Sequence, residues 1–259
     1  MKIAVFVKQV PDSAAKMTVE GGVVHWGDAP LVINPWDEYA VEAALWLAEK
    51  YGGEVTALSL GDEEAKEALK HALAMGCAQA ILISDPALSA PDASATARVL
   101  VAAAKKLGQL DLAIFGKQAI DTDTGLTTPM AARLLGWPSL TLVAAVTQLD
   151  AGAKSIRVER GIEEGRQIVE SKLPAVLSIV KDFGEPRYPS FMGIRKASKA
   201  EIPIWSLADL GISTPESKVS WPQISSPPPR AATSELITGA SSEEIANKLA
   251  DKLIAEGVL

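Results

Sequence analysis

The chain begins with short apolar runs separated by helical patterns. Residues 3–10 are almost continuously apolar, as in a strand covered on both faces. Residues 19–33 read as a hairpin turning at Gly21-Gly22, and Asn34-Pro35 is a further turn signal. Over 37–51, Val41, Ala44, Leu45, Ala48 and Tyr51 share one helical face. Asp37, Glu38 and Glu42 suit that helix's positive end, Lys50 its negative end, and Gly52-Gly53 stops it. Strands follow at 55–60, 80–84 and 112–116. Helices follow at 62–75, 92–107 and 125–135, ended by Gly76, Gly108 and Gly136. Strand and helix alternating at this spacing predict an α/β fold with a doubly wound, mostly parallel sheet.

The rhythm then changes. Residues 155–160 alternate Ile156 and Val158 with Arg157 and Glu159, 161–165 turn, and 167–171 return, which predicts an antiparallel hairpin with one wet face. Residues 173–180 read as another buried strand. Beyond Lys181 periodicity fades, and 181–230 hold half of the prolines, including Pro227-Pro228-Pro229. This predicts an arm lying on a surface, its own domain's or another protein's, with no core of its own. A helix closes the chain, with Ser241-Ser242-Glu243-Glu244 as a cap-like start and Ile245, Leu249 and Leu253 as its stripe. The expected organisation is an α/β domain over 1–183, a loop over 184–200 and the arm with its helix over 201–259.

Composition narrows the function. The 259 residues are 48% apolar with an ordinary share of Gly and Pro, unlike a disordered tail, a collagen rod or a coiled coil. A net charge of −7 argues against gripping nucleic acid. The single cysteine, Cys77, rules out an internal disulfide or a Cys-rich zinc site and reads as a small core residue. His25 and His71 are far apart; the first reads as a strand-surface residue and the second as serving a helix dipole. No apolar run approaches the ~18 residues of a membrane span, so the expectation is a soluble protein of a reducing compartment without membrane insertion. G-x-G-x-x-G, the Walker lysine motif, G-x-S-x-G, H-E-x-x-H and C-x-x-C are all missing, which removes support for an ordinary dehydrogenase, kinase, hydrolase or zinc enzyme.

One segment stands out: Gly116, Lys117, Gln118, Ala119, Ile120, Asp121, Thr122, Asp123, Thr124, Gly125, Leu126 and Thr127, where a parallel strand ends and a helix begins. Ligands bind at that edge of open α/β sheets, and a helix N-terminus favours phosphate. Thr122, Thr124 and Thr127 add hydroxyls. Asp121 and Asp123 have the wrong sign for phosphate; they could cap the helix or accept bonds from a ribose or the main chain. An ordinary capped βα loop is the plainer alternative.

The run Gly-Lys-Gln-Ala-Ile-Asp-x-Asp resembles the signature of electron-transfer flavoprotein β subunits. Four further stretches resemble the family in order: 5–10; Asn34-Pro35-Trp36-Asp37-Glu38 with 40–42; 72–76; and Leu173-Pro174-Ala175-Val176 followed by Glu185-Pro186-Arg187-Tyr188. The resemblance implies a heterodimer with an α subunit, an FAD held mostly by α, and an AMP held structurally by β. It implies electron flow from acyl-CoA and related dehydrogenases, as in fatty acid oxidation, to a quinone reductase. The place would be the bacterial cytoplasm, or the mitochondrial matrix in a eukaryote. By position, Phe6, Asn34, Pro35, Trp36, Asp37, Leu60 and the 116–127 loop would contact the nucleotide. By residue type alone, Phe6 and Leu60 are ordinary core residues and Trp36 a lid over apolar surface. Leu126 departs from the family pattern by replacing a polar residue near the expected phosphate. Some members are electron-bifurcating, with a second FAD in place of AMP and NADH oxidation; they often carry Arg where this chain has Lys117.

Residues 186–200 contain Arg187, Arg195, Lys196 and Lys199 and no acid, with Tyr188, Phe191, Met192 and Ile194 apolar in what reads as loop. The resemblance makes this the loop that docks on a dehydrogenase, with Phe191 as the anchor and Met192 the near alternative. Side chains folded back on the core are the other reading. Glu159, Arg160, Glu163, Glu164 and Arg166 read as a solvated hairpin tip. A non-redox adenine-nucleotide sensor is a third class, opposed by the proline-rich arm.

Overall fold

In the computed structural model, residues 1–88, 90–221, 223–228 and 234–258 are described. They form two compact units, Met1–Ile224 and Ser225–Leu259.

The first unit starts with β1 (Lys2–Phe6), β2 (Gln9–Pro11), β3 (Thr18–Glu20), β4 (Val23–His25) and β5 (Leu31–Ile33). The expected strand over 3–10 is therefore two. β1 enters the main sheet, whereas β2 turns aside and pairs antiparallel with β5. Only 18–25 form the predicted hairpin, with Gly21 and Gly22 at φ 58° and 81°. Two consecutive positive φ angles are what the tight hairpin turn needs and glycine supplies. Then come α1 (Pro35–Tyr51), β6 (Glu54–Leu60), α2 (Lys66–Met75), β7 (Gln79–Ile83), α3 (Ala93–Lys106), β8 (Leu112–Gly116) and α4 (Thr127–Leu135). Asp62 caps a 3₁₀ turn over Glu63–Ala65 ahead of α2, and Asp92 caps α3 through Ala95 N–H.

Residues 139–150 drew no prediction, yet they form the twelve-residue strand β9 (Ser139–Asp150). It is followed by β10 (Ser155–Ile162), β11 (Gly165–Lys172) and β12 (Ala175–Ile179). Leu142 sits at φ 58° inside β9, and the register shifts there against β12. That bulge breaks the alternation by which the strand would have been recognised. The segment expected as loop contains a short helix, α5 (Phe191–Ala197), capped by the Ser190 hydroxyl through Gly193 N–H. Seven residues are too few to carry a periodic signal. β13 (Ile204–Trp205) then adds to the sheet edge beside β7, and Leu207 is buried. The first unit extends to Ile224.

The nine-stranded sheet runs β11-β10-β9-β12-β8-β1-β6-β7-β13, parallel except at β10 and β11. One core, with Ile3, Val5, Ile114 and Leu177, packs against α1 and α2. The other, with Ala4, Phe6, Leu58 and Phe115, packs against α3 and α4. The doubly wound α/β expectation holds. Chain order reverses between β1 and β8, which opens the crevice where such sheets take ligands. Cys77 lies in the first core, where burial pushes its thiol up to about 12.

The second unit holds α6 (Ser242–Ala255). Its start is capped from both sides: the N-cap Ser241 Oγ accepts from Glu244 N–H, and the Glu244 carboxylate reaches back to accept from Ala240 N–H, one residue before the N-cap. The predicted stripe residues Ile245 and Leu249 are exposed.

Candidate functional site

The carboxyl ends of β1, β6 and β8 bring together Phe6, Leu60 and Gly116. The start of α1, with Asn34, Pro35, Trp36 and Asp37, closes over the same edge. Asn34 is fully buried and fastens the 116–127 loop: its Nδ2 donates to Gln118 O at 2.8 Å, and its Oδ1 accepts from Ile120 N–H at 3.1 Å. Asp37 joins three segments by accepting from Lys8 N–H at 2.8 Å and Gly116 N–H at 3.2 Å. Burial raises its carboxyl to about 7, against the opposing effect of those N–H donors and of the Lys8 charge. Gly116 is required by the close approach, because a Cβ there would overlap Asp37 Oδ1 and lie 2.7 Å from the Trp36 carbonyl.

Asp121 and Asp123 do not cap α4. Asp121 pairs with Lys8 Nζ at 2.5 Å, and Asp123 accepts from Gln118 Nε2. Lys117 Nζ stands 5.2 Å from the Trp36 ring centre, so Trp36 is a cation–π partner. The helix starts at Thr127, two residues later than predicted. Gly125 is at φ 60° and Leu126 occupies the N-cap position, where no side chain caps the helix. Thr127 and Thr128 N–H therefore lie in the first turn without a side-chain acceptor, and Pro129 after them has no N–H to offer. Ser59, one residue before Leu60, has a buried hydroxyl with no hydrogen-bond partner among the described residues. A free helix tip and a glycine at a topological switch point fit an anionic group such as a phosphate.

Phe6 is buried and stacks on Phe115, centroids 4.3 Å apart and planes within 9°. One face of its ring is thus already covered. Sequence reasoning missed both Phe115 and Lys8. The available signal was complementarity: Lys8 follows the first strand at the edge where Asp121 arrives. A groove of about 580 Å³ lined by Arg98, Lys105, Lys106 and Leu134 lies toward the other end of α3 and shares no residue with this site.

The 186–200 segment is anchored at its start and exposed beyond it. Arg187 does not add to a positive patch. Its Nε meets Glu42 at 2.8 Å and its Nη1 meets Glu49 at 2.5 Å, and the guanidinium holds the Glu49 carboxyl below its ordinary value. Gly193 lies against Ala74 O of α2, so closely that a Cβ would overlap it. From this base Tyr188 is 96% exposed, Phe191 79% and Met192 68%. They do not fold back on the core. Arg195, Lys196 and Lys199 are exposed beside them.

Arg160 is bound into the sheet: Nε donates to Thr141 O at 2.6 Å and Nη2 to Thr141 Oγ1 at 2.8 Å, which holds the β9 bulge. His71 lies 3.0 Å from Glu38, so its partner is a side chain and not a helix end. No described helix is long and apolar enough to cross a membrane.

The fold and this edge define a doubly wound, Rossmann-like α/β protein with its candidate site at the switch point of the sheet. Residues 22–210 match the model of the electron transfer flavoprotein domain. The caffeyl-CoA reductase-Etf complex subunit CarD of Acetobacterium woodii is 38% identical, covering 98% of both chains. The electron transfer flavoprotein β subunit of Thermoanaerobacterium thermosaccharolyticum is 36% identical over the whole of both. That of Bacillus subtilis is 35% identical over 94% of both. The chain belongs to the electron transfer flavoprotein family, on the β-subunit side, whose members pair with an α subunit and carry electrons.

Proposed function

We propose that the chain is the β subunit of a heterodimeric electron carrier, holding AMP in a structural role and helping α hold FAD. The observation that carries the AMP reading is the uncapped tip of α4 beside a loop fastened by Asn34, Asp37 and Lys8. In this reading Thr127 and Thr128 N–H hold the phosphate, with Gly125 allowing close approach, and Leu60 and Trp36 flank the purine and ribose. The loop is held in place before the nucleotide arrives, so little ordering accompanies binding. FAD supplies the redox chemistry when bound, and this chain's residues position and shield it.

Electrons would come from acyl-CoA or related dehydrogenases and leave to a quinone reductase. Phe191 and Met192 would enter an apolar pocket on the dehydrogenase, while Arg195 and Lys196 speed encounter with an acidic rim and Tyr188 flanks the contact. The 225–259 unit would wrap α through the exposed stripe of α6. In the alternative, a bifurcating subunit, a second FAD replaces AMP and NADH is oxidised; Lys117 in place of Arg favours the simple carrier.

The test is to copurify the chain with its α partner, release the nucleotides and count them. One FAD and one AMP per heterodimer is the expected result. Two FAD would establish the bifurcating reading, and ATP without flavin would sink both.

A further inference from the structure

The outer edge of the main sheet is β11. Its eight residues pair with β10 in uninterrupted register, and among the described residues no strand pairs with its other side. Long regular edges are templates for another backbone, and proteins usually shorten, bulge or cover them. β11 has no bulge and no proline, and Ile168 at its middle is 57% exposed; the protection it does carry is charge, with Arg166, Glu170 and Lys172 of both signs along the strand.

The order of its charges is informative. Suppose two copies pair antiparallel along this edge about a twofold axis perpendicular to the sheet. Residues facing each other across the axis must point to the same face, so the axis passes through a residue position. Centred on Arg166 or on Glu170, that residue would face its own copy, a like-charge contact. Centred on Gln167, Glu164 faces Glu170; centred on Val169, Arg166 faces Lys172. Of the registers that overlap at least five residues of β11, only the one centred on Ile168 has no like pair. There Ile168 meets Ile168, Arg166 meets Glu170 twice, and Glu164 meets Lys172 twice. Within the chain Arg157 already reaches Glu170, and Arg166 reaches Asp182 and Glu159, so the new contacts would extend an existing ladder of charges.

We propose that, when free of its α partner, the chain pairs with a second copy of itself through β11 in the register centred on Ile168, continuing the sheet across a twofold axis. This does not rest on the nucleotide or dehydrogenase readings. The test is sedimentation equilibrium of the full chain alone over a wide concentration range. The expected result is a reversible monomer–dimer equilibrium. Arg166→Glu turns two attractive cross-strand contacts repulsive and weakens the dimer about thirtyfold. Glu170→Arg does the same, and the two substitutions together restore pairing because the charges are merely exchanged. Ile168→Lys sets like charges on the axis and also weakens it; the site is exposed, so this variant carries the test if the Arg166 variants misfold. A monomer at every concentration would overturn the proposal. So would a dimer indifferent to Arg166→Glu and Ile168→Lys, or a double variant as weak as the single ones.

Discussion

Gly116→Ala tests whether the candidate site is built as described. The Cβ would overlap Asp37 Oδ1 and come within 2.7 Å of the Trp36 carbonyl carbon and oxygen. Two of those atoms are backbone in the first turn of α1, so no side-chain rotation relieves the clash. Overpacking of this kind costs about 1–3 kcal/mol. Moving Asp37 aside also loses the bond from Gly116 N–H, worth about 1 kcal/mol. The sum, about 2–4 kcal/mol, corresponds to a fall in Tm of roughly 5–15 °C in a chain of this size. Differential scanning calorimetry would measure it, with Gly136→Ala as the reference. Gly136 is at φ 70° with nothing within 4 Å of its Cβ position, so that variant adds only backbone strain, about 1 kcal/mol. A Gly116→Ala protein melting with the wild type, or above Gly136→Ala, would refute the close packing of β8 against α1.

Three other outcomes follow. The native pKa of Asp37, about 7, exceeds the unfolded value of about 3.9, so between those pH values the folded state keeps a proton that the unfolded state loses. The resulting stability, about 4 kcal/mol, is complete below the unfolded value and is lost as pH rises through 7. Wild type should therefore lose stability relative to Asp37→Asn between pH 5 and 8, and parallel Tm–pH curves would contradict this. Arg187→Ala should lower stability by about 1.5–3 kcal/mol, because it removes charge-assisted bonds to Glu42 and Glu49, and it should raise amide exchange over 186–200; an unchanged exchange pattern would show that the segment is held elsewhere. Phe191→Ala should slow electron uptake from the dehydrogenase with Tm unchanged, and an unaltered rate after truncating both Phe191 and Met192 would remove the docking reading.

The parallel sheet was legible because its strands are continuous apolar runs and its helices end at glycines such as Gly76 and Gly136, both at positive φ. The loop at 116–127 was legible by its polarity at a strand end. β9 was not, because the bulge at Leu142 is held by Arg160 and Ser178, groups distant in sequence. The role of Arg187 was hidden for the same reason: Glu42 lies 145 residues away, and a local count of charges saw only the cations. Asp37 was read as an acid favouring a helix dipole, an effect of sequence neighbours. Its larger role is joining β8 and Lys8, two residues beyond β1, to α1, which only the folded chain reveals.

These non-local ties explain why the exposed residues can serve as contacts. Tyr188, Phe191 and Met192 project from a segment too short to hold a conformation alone. Arg187 fixes where the segment leaves α1, and the contact of Gly193 with Ala74 fixes α5 against α2. The apolar side chains are thus displayed in water on a backbone that rigid neighbours already hold in place. A partner that accepts them gains burial without ordering the chain, so affinity depends mainly on the few anchors and encounter rate on the cations beside them.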